Sequence, residues 1–218
     1  SSSHEQVAKH YQVSTIDLAS EVARLIDADQ LTWKQYGGTH PAPFGNAICA
    51  AMIDKLLTRA WQESGPKEKH ATPDQPLDVF SFRNGRLINV KQAKQVSGWE
   101  IKVPDWKSIP GSKRSRFTSI PMLCAEQPGA ELELDFEGTA LGAFIVAGPD
   151  AGQLEVSIDG GPFKTHDLYH HYSKGLHYPR TVVFSSELKP GKHQAKIRVS
   201  PKSSSEGHAA RIMYFTGN

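Results

Sequence analysis

Long apolar runs are missing from this sequence. No stretch approaches the roughly 20 residues needed to span a bilayer, so no membrane span is expected. A leader with a charged start and an apolar middle is missing too, because the chain opens on the polar Ser1-Ser2-Ser3-His4. No methionine stands at position 1, and the N-terminus is therefore expected to result from processing or trimming. An excess of one charge is also lacking. Lys and Arg total 25 against 23 Asp and Glu, a formal net charge of +2. That is too little to expect nucleic acid or an anionic membrane as partner. The basic run Lys113, Arg114, Arg116 is short, lies among Ser, Gly and Pro, and reads as a solvated loop. Cysteine is scarce as well. Cys49 falls in an expected helix and Cys124 in an expected strand of the other half, so two free thiols are expected rather than a bridge.

What is present is the composition of an ordinary globular chain, 38% hydrophobic and 22% charged over 218 residues. That length suits one large domain or two small ones. The pattern changes between residues 63 and 76, where Ser, Gly, Pro, Lys, Glu and His collect. Residues 1–62 read as one domain, 63–76 as a linker and 77–218 as a second domain.

The first domain reads helix, strand, helix, loop, helix. Ser3 and Gln6 have capping-box spacing for a helix through Tyr11. Val13 to Leu18 alternates like a strand, and Ser20 starts a second helix carrying Val22, Leu25 and Ile26. Beyond Pro43, residues Phe44, Ile48, Met52, Ile53, Leu56 and Leu57 recur at helical spacing on one face. This is a piece of an α/β layer. About 60 residues with a single strand cannot build a core alone, so a neighbouring segment or surface is expected to complete it.

The second domain reads as strands and turns. Glu131 to Phe136 alternates strictly, and Leu141 to Ala147 is apolar throughout, like a central strand. Leu154 to Ile158 runs into the hairpin signal Asp159-Gly160-Gly161. Thr181 to Phe184 is another strand, Lys189-Pro190-Gly191-Lys192 a turn, His193 to Val199 the strand expected to pair back, and Ala210 to Phe215 the last. Short strands without helices argue for an antiparallel β-sandwich of jelly-roll type.

The most informative string runs from Trp33 to Asn46, with Gly37-Gly38-Thr39-His40-Pro41-Ala42-Pro43-Phe44-Gly45-Asn46 at its centre. Two glycines free the backbone before His40, and two prolines stiffen it after. A histidine fixed ahead of a strong helix is well placed as a general base. Locally, a plain loop hydrogen bond is the other role open to it. His-Pro followed by Gly four residues after the proline, opening the last helix, resembles the final block of SGNH/GDSL-type hydrolases. The segment Glu5 to Tyr11 and then Val13 to Leu18 resembles the helix and strand that precede that block.

The resemblance covers residues 1–62 and implies the C-terminal part of a three-layer α/β hydrolase domain with His40 as catalytic base. In that family the histidine activates a serine in a Gly-Asp-Ser block near the domain's start. No Gly-Asp-Ser occurs in this sequence, nor the Gly and Asn blocks that supply an oxyanion hole. The nucleophile is therefore expected outside this chain. The family's acid three residues before the histidine is replaced by Gly37, so a Ser–His dyad steered by a backbone carbonyl is implied rather than a triad.

The second domain resembles the galactose-binding-like sandwich that accompanies some bacterial SGNH esterases of acetylated sugars. That resemblance implies an acylated small molecule or glycan as substrate and favours a secreted or periplasmic location. Trp99, Trp106, Tyr172 and Tyr178 are candidate sugar platforms, since aromatic faces stack on sugar faces, or else core residues. Among them Trp106 and Tyr172, with His177, are singled out for substrate binding. His166, His170, His171 and His177 cluster in sequence but lack helical i, i+4 spacing and nearby cysteines, so no metal and no cofactor are expected. The leading expectation is part of a carbohydrate O-acetylesterase. A non-catalytic carbohydrate-binding or structural sandwich is the alternative, and a homodimer through the Phe44 face is a further expectation.

Overall fold

The computed structural model describes residues 2–63, 65 and 69–218, with side chains from residue 3 onward. Ser64, Pro66, Lys67 and Glu68 of the expected linker lie outside the described residues. The chain divides into two compact units, Ser1–Val79 and Phe80–Asn218.

The first unit consists of α1 (Ser2–Tyr11), α2 (Leu18–Asp27), α3 (Trp33–Tyr36) and α4 (Pro43–Gln62). Ser3 lies inside the first turn of α1 rather than capping it. The helix ends in a Schellman motif with Gln12 at φ 52° in the position usually given to glycine. There Gln12 N–H donates to the Lys9 carbonyl and Val13 N–H to that of Ala8. The expected strand does not form. Residues 13–17 are irregular and Leu18 already opens α2. Alternating apolar residues become a strand only where a partner offers hydrogen bonds, and no strand occurs among the described residues of this unit. The cap of α2 is Asp17, not Ser20: its carboxylate accepts from both the Ser20 N–H and the Ser20 hydroxyl. After α4 the chain returns along α1, where His70 bonds the Tyr11 carbonyl and His10 bonds that of Gln75.

This unit buries little. Val22, Leu31 and Tyr36 are its buried apolar side chains, flanked by Leu18, Leu25, Ile26, Ile48 and Cys49. The apolar face of α4 splits. Ile48, Met52 and Leu56 are half-buried, whereas Phe44, Ile53 and Leu57 are exposed, and Trp61 is 78% exposed.

The second unit is a β-sandwich of two antiparallel sheets. Its strands are β1 (Arg86–Asn89), β2 (Lys94–Ser97), β3 (Glu100–Lys102), β4 (Met122–Ala125), β5 (Glu131–Gly138) and β6 (Leu141–Ala147). They continue with β7 (Gln153–Ile158), β8 (Lys164–Asp167), β9 (Tyr178–Ser185), β10 (Gly191–Val199) and β11 (Ala210–Gly217). One sheet runs β3-β4-β11-β6-β9 with β1 also on β11; the other runs β2-β5-β10-β7-β8. Period-two patterning sends Leu132, Leu134 and Phe136 of β5 and Ala195, Ile197 and Val199 of β10 inward. They meet Leu141, Ala143, Ile145, Ile212 and Phe215 from β6 and β11.

The strand β10 does not pair back onto β9. It lies between β5 and β7, while β9 pairs with β6 in the opposite sheet. The turn near Pro190 reverses the chain but also carries it across the sandwich, with Leu188 N–H bonded to the Thr139 carbonyl. Turn chemistry fixes a reversal, not which sheet receives the next strand.

Outside the β4–β11–β6 surface a second apolar layer forms. The loop 103–121 lays Trp106, Phe117 and Ile120 over Met122, Cys124, Val146 and Met213.

Candidate functional site

His40 stands at the tip of a tightly closed loop. The short helix α3 starts with a full capping box, Thr32 and Gln35 bonding each other's backbone N–H. It stops at Gly37, whose φ of 105° is open to glycine, and both Gly37 and Gly38 donate to the Trp33 carbonyl. The loop closes when Ala42 N–H donates to the Tyr36 carbonyl at 2.8 Å. A Cβ at Gly37 would lie 2.2 Å from the Ala42 nitrogen, so the closure requires glycine there. Pro43 then occupies the first position of α4, where its missing N–H costs nothing. Gly45 brings the first turn of α4 against α3, since a Cβ there would fall 2.2 Å from the Tyr36 carbonyl oxygen. The Asn46 amide donates to the Pro41 carbonyl at 3.2 Å. Gly37, Gly38, Ala42, Gly45 and Asn46 are thus placed by hydrogen bonds or steric need, while the His40 side chain is exposed and has no hydrogen-bond partner among the described residues.

In the sandwich unit, Trp106 and His177 come together, their rings edge-on with centroids 5.0 Å apart. His177 is only 1% exposed. Its ring lies directly over Gly148, where any Cβ would clash, and its Nε2 donates to the Pro110 carbonyl at 2.9 Å. Burial pushes the His177 imidazole below its ordinary pKa, opposed by the Pro110 bond. The neutral tautomer therefore carries its proton on Nε2. His177 N–H and the Ser112 carbonyl, with Ser112 N–H and the Gly175 carbonyl, zip the 110–112 and 175–177 segments together.

Beneath them Arg211, 2% exposed, makes a two-pronged pair with Asp150 at 2.9 and 2.6 Å, its guanidinium 5.7 Å from the Trp106 ring centroid. Burial disfavours the Asp150 carboxylate, but Arg211 outweighs it and holds the carboxyl below its usual value. This pair had escaped the sequence reading. Arg211 sits between Ala210 and Ile212 in a buried strand, and a charge in such a run demands a partner.

Tyr172 lies apart from that buried set and is 55% exposed. Its ring meets His171 at 3.9 Å, His170 at 5.2 Å and Tyr178 at 5.2 Å, and His170 stacks on Tyr178 at 15°. The four rings form a surface patch. Burial, with His171 and Arg180 nearby, lowers the His170 pKa, so the patch is uncharged at that ring near neutral pH. Trp99 is buried in the core rather than in the patch. His166 packs against Phe184. Among the described residues, no group of three or more His, Cys, Asp or Glu is placed to hold a metal ion. A separate groove of about 460 Å³ on the same unit is lined by Phe82, Leu87, Gly142, Thr181, Val183 and Thr216, none of them singled out from sequence.

No family model matches the sequence, and no curated protein does. Among solved structures, a two-domain esterase (CEX) active on acetylated mannans aligns with TM-score 0.71 in two crystal structures, at 16% and 15% identity and over 98% of this chain. One of these was co-crystallised with mannopentaose. A family two carbohydrate esterase from Cellvibrio japonicus aligns over 61% of this chain at 16% identity, with TM-score 0.39 and 32% of its own length. The alignments cover 57% and 58% of the two mannan-esterase chains, less than two thirds of their length. In fold, this chain is similar to somewhat more than half of a two-domain esterase.

Proposed function

We propose that this chain is part of an SGNH-type serine esterase that removes acetyl groups from a glycan, with a jelly-roll sandwich appended to the hydrolase domain. The observation that carries the reading is the His40 loop: a histidine exposed at the tip of a loop that glycine, proline and backbone bonds fix in place. The fold shared with a two-domain mannan esterase supports it. In the complete enzyme a serine outside these 218 residues attacks the ester carbonyl. His40 takes the serine proton and passes it to the leaving sugar hydroxyl, then serves as base for the water that releases acetate.

The apolar side chains left exposed on α4 (Phe44, Ile53, Leu57 and Trp61) are in this reading the surface that the rest of the α/β layer covers. A homodimer through that face is the competing occupant, and sizing the longer native protein separates the two. The decisive experiment measures acetate release from acetylated mannan by that longer protein and its His40→Ala variant. Loss of roughly 10³-fold in kcat with an unchanged melting point is expected; retained activity would remove His40 from the mechanism.

A second reading is favoured by the ring patch at Tyr172, which suits a glycan-binding module. Tyr172 then offers its face to a sugar, while Trp106 and His177 support the loops beside it from within. Residues 80–218 would retain mannan in affinity electrophoresis, and Tyr172→Ala would weaken retention severalfold.

A further inference from the structure

At one end of the sandwich, His193 near the start of β10 is held on both sides of its ring. Its Nδ1 lies 2.6 Å from an Asp159 carboxylate oxygen in the β7–β8 turn, and its Nε2 lies 2.8 Å from the Lys189 carbonyl in the β9–β10 turn. A carbonyl oxygen only accepts, so Nε2 must carry a hydrogen. An ionised carboxylate only accepts too, so Nδ1 must carry one as well. Both bonds exist together only when the ring is an imidazolium. The ring stacks on Phe136 with centroids 5.3 Å apart, and its side chain is 10% exposed. Asp159 is fixed in turn: its other oxygen accepts from the Gln194 N–H at 2.9 Å, and its own N–H donates to the Gln194 carbonyl. Asp159 adopts φ 52°, the left-handed conformation that begins this turn.

We propose that His193 is a proton-operated clamp that joins the β7–β8 turn to the β9–β10 turn and releases them when it deprotonates. Charged groups from every neighbouring element face the same recess. Arg86 comes from β1, Asp135 and Glu137 from β5, Asp159 from the β7–β8 turn, and Lys192 from β10 itself. Arg86 is engaged by the Glu137 carbonyl, and Asp135 accepts from the Gln194 amide at 3.3 Å. The Asp159 carboxylate favours the charged ring, and the Lys189 and Gly138 carbonyls add to it.

The Asp159 bond is the main reason that His193 binds its proton more tightly than an ordinary histidine, with burial acting against it. The clamp is therefore complete below the ordinary histidine range and is lost as pH rises through the raised value. Asp159 is held below the usual carboxylate range chiefly by the His193 bond, so its share is lost only in acid, as pH falls through that lowered value. Between these limits the two turns move as one. Above the upper limit the turns part and widen the recess between Arg86, Glu137, Asp159 and Lys192.

Nitrogen-detected NMR of the unmodified chain tests this directly, because each ring nitrogen reports its own hydrogen. Below its titration midpoint both His193 nitrogens are expected to be protonated, with that midpoint above that of an exposed histidine. In native-state exchange, corrected for base catalysis, opening at the Asp159 and Gln194 amides is expected to rise roughly tenfold through that midpoint. Asp159→Asn is expected to lower the midpoint and remove the rise. A midpoint at or below that of an exposed histidine, or an opening equilibrium that is flat across the His193 titration, would overturn the clamp. Because the wild-type chain gives both readings, an unfolded variant does not blur the result.

Discussion

The two units of this chain solve the burial problem differently. The sandwich closes its own core, from Leu123 and Ile145 in one sheet to Leu134 and Ile197 in the other, and adds a second apolar layer under the 103–121 loop. The helical unit buries Val22, Leu31 and Tyr36 and leaves Phe44, Ile53, Leu57 and Trp61 in water. The difference teaches that a sandwich in which every strand finds a partner closes its own core, whereas four helices that bury few apolar side chains leave theirs open. It also separates two kinds of rigidity. His40 is fixed by backbone geometry in a thinly packed unit, while Trp106 and His177 are fixed by packing in a dense one.

The largest expected break in this comparison is in the parts themselves. Residues 80–218 alone should melt in one cooperative transition, and residues 1–79 alone should show none, as circular dichroism would record. Next comes the buried ion pair. Asp150→Ala strands Arg211 in the interior and should cost about 3–5 kcal/mol of sandwich stability in urea unfolding. Exchanging both partners for apolar residues should recover much of that loss.

A smaller effect is expected at the His40 loop. Gly45→Ala sets a Cβ against the Tyr36 carbonyl and should destabilise the helical unit by about 1–3 kcal/mol, read as faster exchange at the Ala42 and Asn46 amides. The thiols should differ as well. Burial raises the Cys124 pKa to about 11, so little thiolate is present near pH 8. Half-buried Cys49, beside the Tyr36 hydroxyl at 3.8 Å, should react with a disulfide reagent at least roughly tenfold faster. The smallest change is Trp61→Ser, which should leave the stability of this chain within about 0.5 kcal/mol, because that indole is bare here.

How much of this was legible in the sequence depended on whether the signal was local. Strict alternation marked β5, and the unbroken apolar run marked β6, because each strand reports its own faces. The Asp159-Gly160 hairpin was legible because positive φ at both positions is a local demand. The placement of β10 between β5 and β7 was not, since sheet membership is decided by pairing over long sequence separations. Val13 to Leu18 misled for the opposite reason: its alternation was real, but a strand needs a partner that the described residues do not supply. In the candidate site, glycine and proline spacing announced the His40 loop, and the clashes at Gly37 and Gly45 give that spacing its cause. Burial of His177 could not be read, because it depends on Gly148 and the 110–112 segment arriving from elsewhere in the chain.

One measurement bears most directly on the contrast between the units: amide hydrogen exchange along the whole chain near neutral pH. Slow exchange confined to β5, β6, β10 and β11, with α1 to α4 exchanging orders of magnitude faster, is the expected result. Protection in α4 equal to that in β6 would contradict it, and would mean that the helical unit is stable without further chain to cover it.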